Sequence, residues 1–428
     1  MANDIRRMFP DGECIFNRAI VICYIVTVAG GLSQQRKKHI LESLPPSFRE
    51  QYFSVFAGPE PETLHPDLYQ RLIDEGTDRI IEHLRDYNER RRDVVKKVQE
   101  SIKVLKLNRN EEAASVRVVA SDAGNNGVDL RSAFAPLYAS TALAAEGWTI
   151  VDEPIFEAGK PEIWSDEFKA QDREALLASN IQLKITEEAV ERWDPKLVIY
   201  DGTLLIHFWL LPSDSSTGYR EDFDRTLTRA IGLLDTCYER DIPIAGFVKR
   251  TRINHICKKF GAPKLRDTAL FDLILRLGEY SMPDLEPMKG EVVKKYKDKA
   301  EEFGTPESKA DKITNFYSSY IRTGLTTPFR LEIPEYCVDR LEEIGTVIFT
   351  TSEEESGIPF SVNEADRLTR VTTSISNIRT LMLYSKALDS VKSGEMRPED
   401  LNLLALQHGE PWVLRDEGYV SDVLISGE

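Results

Sequence analysis

Apolar positions early in the chain follow a helical period. Between Leu68 and Leu105 they recur at Ile73, Ile80, Tyr87 and Val94, a seven-residue step, with a second line through Leu84, Val98 and Leu105. That spacing predicts a long helix with an apolar seam, packed by coiled-coil or hairpin contact on another helix. Its outer face carries Arg85, Arg90, Arg91, Arg92, Lys96, Lys97, Lys103 and Lys106. Interleaved with Asp86, Glu89, Asp93 and Glu100, these read first as a solvated face and second as a contact to a DNA backbone.

After Asn110 the pattern changes to strand-like runs. Residues 116–120 form a β-type run that stops at Ser121-Asp122, and Asn125, Asn126 and Gly127 signal a turn. A second strand over 197–200 runs into Asp201-Gly202, a third over 242–248 ends at Lys249-Arg250, and a fourth is expected over 346–350. Helical patterns over 172–193 and 225–240 separate the first three, and a β-hairpin is expected within 133–150. Strands alternating with helices predict an α/β fold with a mixed sheet flanked by helices. We therefore expect a helical N-terminal extension over 1–110 and a sheet domain over 111–428. A polar, proline-containing insertion near 282–312 lies within that domain.

Composition changes this picture little. The usage is that of a soluble globular protein, with 41% apolar and 29% charged residues. A net charge of -16 excludes a uniformly basic nucleic-acid coat, yet leaves room for a local basic channel. The five cysteines, Cys14, Cys23, Cys237, Cys257 and Cys337, show no metal-knuckle spacing and read as reduced thiols of a cytoplasmic protein. The apolar stretch 19–32 is shorter than the roughly 20 residues that span a bilayer, so it reads as a buried helix and no membrane contact is expected.

Asp122 and Asp201 are the candidate chemistry. Each stands where a strand runs out, the place where open α/β sheets gather ligands. Two carboxylates held together there repel unless a cation sits between them, and hard oxygen ligands suit magnesium or manganese. Each aspartate alone also fits an ordinary turn residue. Lys249, Arg250 and Arg252, followed by Lys258, Lys259, Phe260, Lys264 and Arg266, could grip a DNA backbone and stack on a base, or simply solvate a helix. Arg330 and Glu332 alternate along a strand with Phe329 and Leu331 and read first as a structural ion pair.

Five segments in order, VRVVASDAGNNGVDLRSAFAPLYASTALA, KLVIYDGTLL, IPIAGFVKRTR, TPFRLEIP and GIPFSVNEADRLTRV, resemble the NurA nuclease family over roughly residues 115–375. The resemblance implies an RNase H-like nuclease core, manganese-dependent cleavage of DNA (magnesium being the other candidate), and a homodimer. It also implies work with a HerA-type hexameric ATPase in the resection of double-strand break ends. Carried onto this chain, Asp122 and Asp201 become metal ligands, and Lys249 lies near the scissile phosphate or the attacking water.

The chain departs from the family pattern at three places. Its first motif reads Asp122-Ala123-Gly124 where the family has Asp-Gly-Ser. The helix before the second acid carries Gln182 and Lys184 where a glutamate is expected; Glu174, Glu187 and Glu188 are the glutamates nearby, and Glu188 is named as the ligand. Asp366 takes the place of the family's C-terminal histidine. These departures keep a second reading open: a catalytically weakened or inactive subunit that binds DNA and the ATPase as a structural component. An RNase H-like fold serving another nucleic-acid reaction is a third.

Overall fold

The computed structural model describes residues 71, 75–130, 133–165, 169–212, 217–251, 253–283, 286–397 and 400. The apolar stretch 19–32, Cys14, Cys23 and Arg252 lie outside the described residues. The chain divides into two compact units, one of residues up to Glu100 with Asn254–Arg266, the other of Ser101–Ile253 and the residues from Asp267 on.

In the first unit, helix α1 (Gly76–Ser101) bears out a long helix, but Ile80 of the expected seam is exposed and Leu105 lies beyond the helix, in the strand Val104–Lys106. Leu84 and Tyr87 are half-buried, and Val94 and Val98 are buried. Arg91, expected on the outer face, is buried on the same side, because it stands three residues before Val94 and seven before Val98.

The second unit carries the sheets. Its strands are β1 (Val104–Lys106), β2 (Arg117–Asn125), β3 (Val128–Leu130), β4 (Ala133–Ala135), β5 (Tyr138–Glu146), β6 (Thr149–Ile150) and β7 (Ile155–Ala158). They continue with β8 (Trp164–Ser165), β9 (Leu197–Asp201), β10 (Ile244–Val248), β11 (Glu279–Ser281), β12 (Phe316–Ile321) and β13 (Phe329–Pro334). The main sheet is ten-stranded, in the order β1-β11-β12-β13-β10-β9-β2-β5-β6 with β7 also on β5; β3, β4 and β8 form a small second sheet. At the centre β2, β9 and β10 are parallel, and antiparallel β5 and β13 flank them. This is the expected mixed sheet flanked by helices.

The longer helices of this unit are α2 (Ala170–Trp193), α3 (Thr217–Glu239), α4 (Asp267–Ile274), α5 (Glu291–Glu302), α6 (Glu307–Thr314), α7 (Leu341–Thr350), α8 (Phe360–Thr369) and α9 (Thr373–Lys392). The central strands are apolar on both faces, as parallel strands covered by helices must be. Val119, Val198 and Ile244 join a core with α2, α3, α5 and α6. Their neighbours Val118, Ala120, Ile199, Ala245 and Phe247 join a second core with α7 and α8. The side-chain period of two therefore decides which helices a strand residue meets.

Three local expectations are corrected. Residues 346–350 belong to helix α7, not to a strand: Leu341, Ile344 and Ile348 recur at helical spacing and pack on the sheet, so tertiary burial overrides β-branched propensity. Strand β2 does not stop at Asp122 but runs to Asn125, because antiparallel β5 pairs with it as far as Asn125–Tyr138. The segment 282–312 is not outside the core. Val292, Val293, Tyr296 and Ala300 of α5 and Ala310 and Ile313 of α6 complete the apolar core beside α3. The Tyr296 hydroxyl donates to Leu204 O at 2.8 Å and accepts from Ile206 N at 3.1 Å, anchoring the chain that follows Asp201.

That same stretch crosses β10 and reaches β13. Gly246 permits the crossing, since a Cβ there would lie 2.7 Å from Gly202 O. On β13, Glu332 accepts from Thr203 Oγ1 at 2.8 Å and from Leu205 N at 2.8 Å. Arg330 and Glu332 form the expected ion pair at 3.0 Å, with side chains only 3% and 0% exposed. Removing one partner of a buried pair leaves an uncompensated charge, so Arg330→Met is expected to cost about 3–5 kcal/mol of stability, read as a lower midpoint in urea unfolding.

Among the described residues, no helix is long and apolar enough to cross a membrane. Cys237 and Cys337 are free, buried thiols.

Candidate metal centre

The two acids meet through strand register. In the parallel ladder of β2 with β9, Ser121 pairs with Tyr200, and Asp122 and Asp201 are the next residue on each strand. Their alternation places both on the face covered by α8, which contributes Asp366. Oxygens of Asp122, Asp201 and Asp366 all lie within 4.8 Å of one another. The close approach of α8 depends on Gly124: a Cβ there would collide with Thr369 O. Thr369, the last residue of α8, holds its hydroxyl 3.0 Å from Asp122 Oδ2 and 2.6 Å from Ala365 O.

Lys249, just beyond β10, sits among the acids. Its Nζ lies 2.6 Å from Asp201 Oδ2 and donates to Asp366 Oδ1 at 2.9 Å. Asp201 Oδ2 is buried, with the Lys249 ammonium as its partner. Arg370 donates to Asp366 Oδ2 at 2.5 Å.

The electrostatics follow from crowding. Burial first, then the charge of Asp122, raises the Asp201 carboxyl to about 7, although Lys249 pulls the other way. Burial likewise raises Asp122 above the usual carboxylate range. Burial alone would raise Asp366, but Arg370 and Lys249 outweigh it and hold that carboxyl low. Burial would also lower Lys249; Asp201 and Asp366 outweigh it and keep the ammonium charged.

The donor set fits a hard divalent cation: three carboxylates bring oxygens within 4.8 Å of one another, and two of the three acids, Asp122 and Asp201, are held on adjacent strands. Asp122 and Asp201 are the freer donors, because Asp366 is already gripped by two cations.

Glu188 does not join them. It lies on the exposed face of α2, whereas the sheet-facing side is made by Gln182, Ile185, Thr186 and Ala189. The naming of Glu188 is corrected on that ground: its place in the helical period turns it to solvent. Glu187 is bonded by Thr236 of α3 at 3.2 Å. Glu174 is buried and accepts from Asn125 Nδ2 at 3.0 Å, Gly127 N at 3.1 Å and Leu137 N at 2.5 Å, so it staples the chain beyond β2. Lys184 pairs with Glu157 on β7 at 2.6 Å. Arg250 is exposed next to Lys249.

Sequence reasoning missed Gln182 and Thr369 as parts of the site. Gln182 and Thr186 are polar residues on a helix face shared with Ile185 and Ala189, which is a signal; Thr369 offers none beyond its place at a helix end. Thr369→Val deletes a hydroxyl contact to a candidate ligand and is expected to weaken manganese binding by about tenfold, measured by calorimetric titration.

A family model, the NurA domain, matches residues 21–371. No curated protein matches the chain. Among solved structures, the NurA nuclease from Sulfolobus solfataricus is similar at a TM-score of 0.56 and 13% identity, over 76% of this chain and 98% of that one. A NurA with manganese matches at a TM-score of 0.48 and 10% identity, over 74% and 98% of the two chains. A NurA bound to dAMP and manganese matches at a TM-score of 0.44 and 11% identity, over 71% and 94%. With most of its length matched by the family model and its fold similar to that of the Sulfolobus solfataricus nuclease, the chain belongs to the NurA family of nucleases.

Proposed function

We propose that this chain is a divalent-metal-dependent deoxyribonuclease whose centre is built by Asp122, Asp201 and Asp366 with Lys249. The gathering of three carboxylates, with oxygens within 4.8 Å of one another around one ammonium, carries this reading. Asp122 and Asp201 hold the cation. A bound divalent ion supplies Lewis acidity, activating water and neutralising charge on the phosphodiester in its transition state. Strands β2 and β9 supply rigidity, so the carboxylates need not reorganise during the reaction. Lys249 neutralises the acids before substrate arrives, and its ammonium is placed to meet a phosphate oxygen. On the sequence, Arg250 and Arg252 are the further cations assigned to the backbone of the DNA.

Manganese is the proposed ion, with magnesium as its competitor. Together with the family resemblance, the oxygen-only donor set favours these two over zinc. We assign the chain to the cytoplasm, where the free thiols of Cys237 and Cys337 are stable. As in the family it resembles, it works as a homodimer with a HerA-type ATPase in the resection of double-strand break ends. The N-terminal domain boundary expected near residue 110 is drawn instead near residue 100, since Val104–Lys106 joins the main sheet, and the segment before it is proposed as the docking region.

Labelled single-stranded DNA and end-exposed duplex DNA, incubated with manganese, magnesium or chelator, test this reading. Cleavage that needs the metal supports it. One observation favours the non-catalytic alternative: among the described residues, no helix glutamate joins the three acids. ATPase binding without cleavage under any metal would establish that alternative.

A further inference from the structure

Gln182 stands on α2, on the opposite face of the sheet from the acids, and is only 4% exposed. Its Nε2 donates to Ser121 O at 3.0 Å and to Asp201 O at 3.1 Å. Those two carbonyls belong to neighbouring strands. One is the carbonyl of Asp201 itself, and the other forms the peptide bond into Asp122. The parallel ladder between β2 and β9 has its last pair at Ser121–Tyr200, so the bridge spans the strands where their own pairing ends. A carboxamide suits this role because one nitrogen offers two protons, whereas an ionised carboxylate or an apolar side chain offers none.

We propose that Gln182 is a positioning residue: it ties the acid-bearing ends of β2 and β9 together and so sets the spacing of Asp122 and Asp201 for the cation. This rests on the metal-centre reading above. Gln182 touches neither the cation nor the DNA. It acts through the backbone, and its loss lets the two strand ends drift by amounts that matter to ligands needing distances of about 2.0–2.6 Å. The neighbouring Thr186, whose hydroxyl lies 2.7 Å from Ser121 Oγ, gives a matched control, since it touches β2 without bridging to β9.

The test titrates manganese alone into the full chain and into Gln182→Met, Gln182→Glu and Thr186→Val, reading affinity by calorimetry and the spectrum of the bound ion by electron paramagnetic resonance. Melting temperatures are recorded beside them. Gln182→Met is expected to bind manganese about 10- to 100-fold more weakly, with an altered spectrum. Gln182→Glu, which presents a carboxylate to two carbonyl oxygens, should bind no better than Gln182→Met. Thr186→Val should keep the affinity and spectrum of the parent even where it melts lower. Unchanged affinity in Gln182→Met overturns the proposal, as does a loss that merely tracks melting temperature across all three variants. Tighter binding by Gln182→Glu also overturns it, by making position 182 a ligand site. Failure of the unaltered chain to bind manganese overturns the metal-centre reading itself.

Discussion

Asp201→Asn is expected to abolish metal-dependent DNA cleavage, by about three orders of magnitude or more, while raising the melting temperature of the metal-free protein at pH 8. Both effects have one cause. Asp201 is buried beside Asp122, and the cost of that burial appears as a carboxyl pKa near 7. A group whose folded pKa lies above its unfolded value stabilises the protein fully below the unfolded pKa, and that contribution is lost as pH rises through the folded one. At pH 8 the parent therefore keeps an ionised carboxylate whose burial opposes folding. Asparagine removes the charge but keeps the size, and Lys249 retains Asp366 as its partner. The parent should recover stability on adding manganese; the variant should not. A calorimetric scan of both proteins, with and without the ion, reads all four states. Equal melting temperatures for the two metal-free proteins at pH 8 would contradict the account.

The second large effect is on pH dependence. Protons compete with the cation for Asp201, so manganese affinity should be highest above pH 7 and fall as pH drops through that value. One proton displaced per ion bound corresponds to about tenfold per pH unit. Asp122, also raised by burial, should steepen the fall at lower pH. Asp366 contributes little to the slope, because Arg370 and Lys249 hold it ionised. Between pH 7 and 5 the affinity should thus drop by about fiftyfold through Asp201, because that carboxyl is already half protonated near pH 7. Titrations of the full chain across that range, at constant ionic strength, measure it. A flat profile would mean that Asp201 is not among the groups that must lose a proton.

Much of the central sheet was legible, because the apolar runs before Asp201 and Lys249 are short, continuous and bounded by turn signals. Helix α2 was legible for the same kind of reason, its apolar positions returning at helical spacing over more than five turns. What periodicity could not supply was which strands lie side by side. The meeting of Asp122 with Asp201 depends on the parallel register of β2 and β9; two acids at strand ends suggested it, and the resemblance to a known family strengthened it. The same limit explains the misplaced glutamate: Glu188 differs from the sheet-facing Thr186 by two residues, which on a helix is a turn of about 200°. Residues 346–350, with their threonine, valine and isoleucine, carry strand propensity that the packing of Ile344 and Ile348 overrides. Segment 282–312 looked polar because its few apolar residues are spaced to form one face of each helix, enough to close a core edge. Gly124 and Gly246 were visible only as turn or strand glycines, yet each marks a place where another backbone passes.

Anomalous scattering from crystals of the full chain grown with manganese at pH 8 tests the central claim most directly. The account predicts a peak about 2.0–2.6 Å from oxygens of both Asp122 and Asp201, with Lys249 Nζ moved away from Asp201. A chain that gives no peak there, with Lys249 still seated between Asp201 and Asp366, would contradict it.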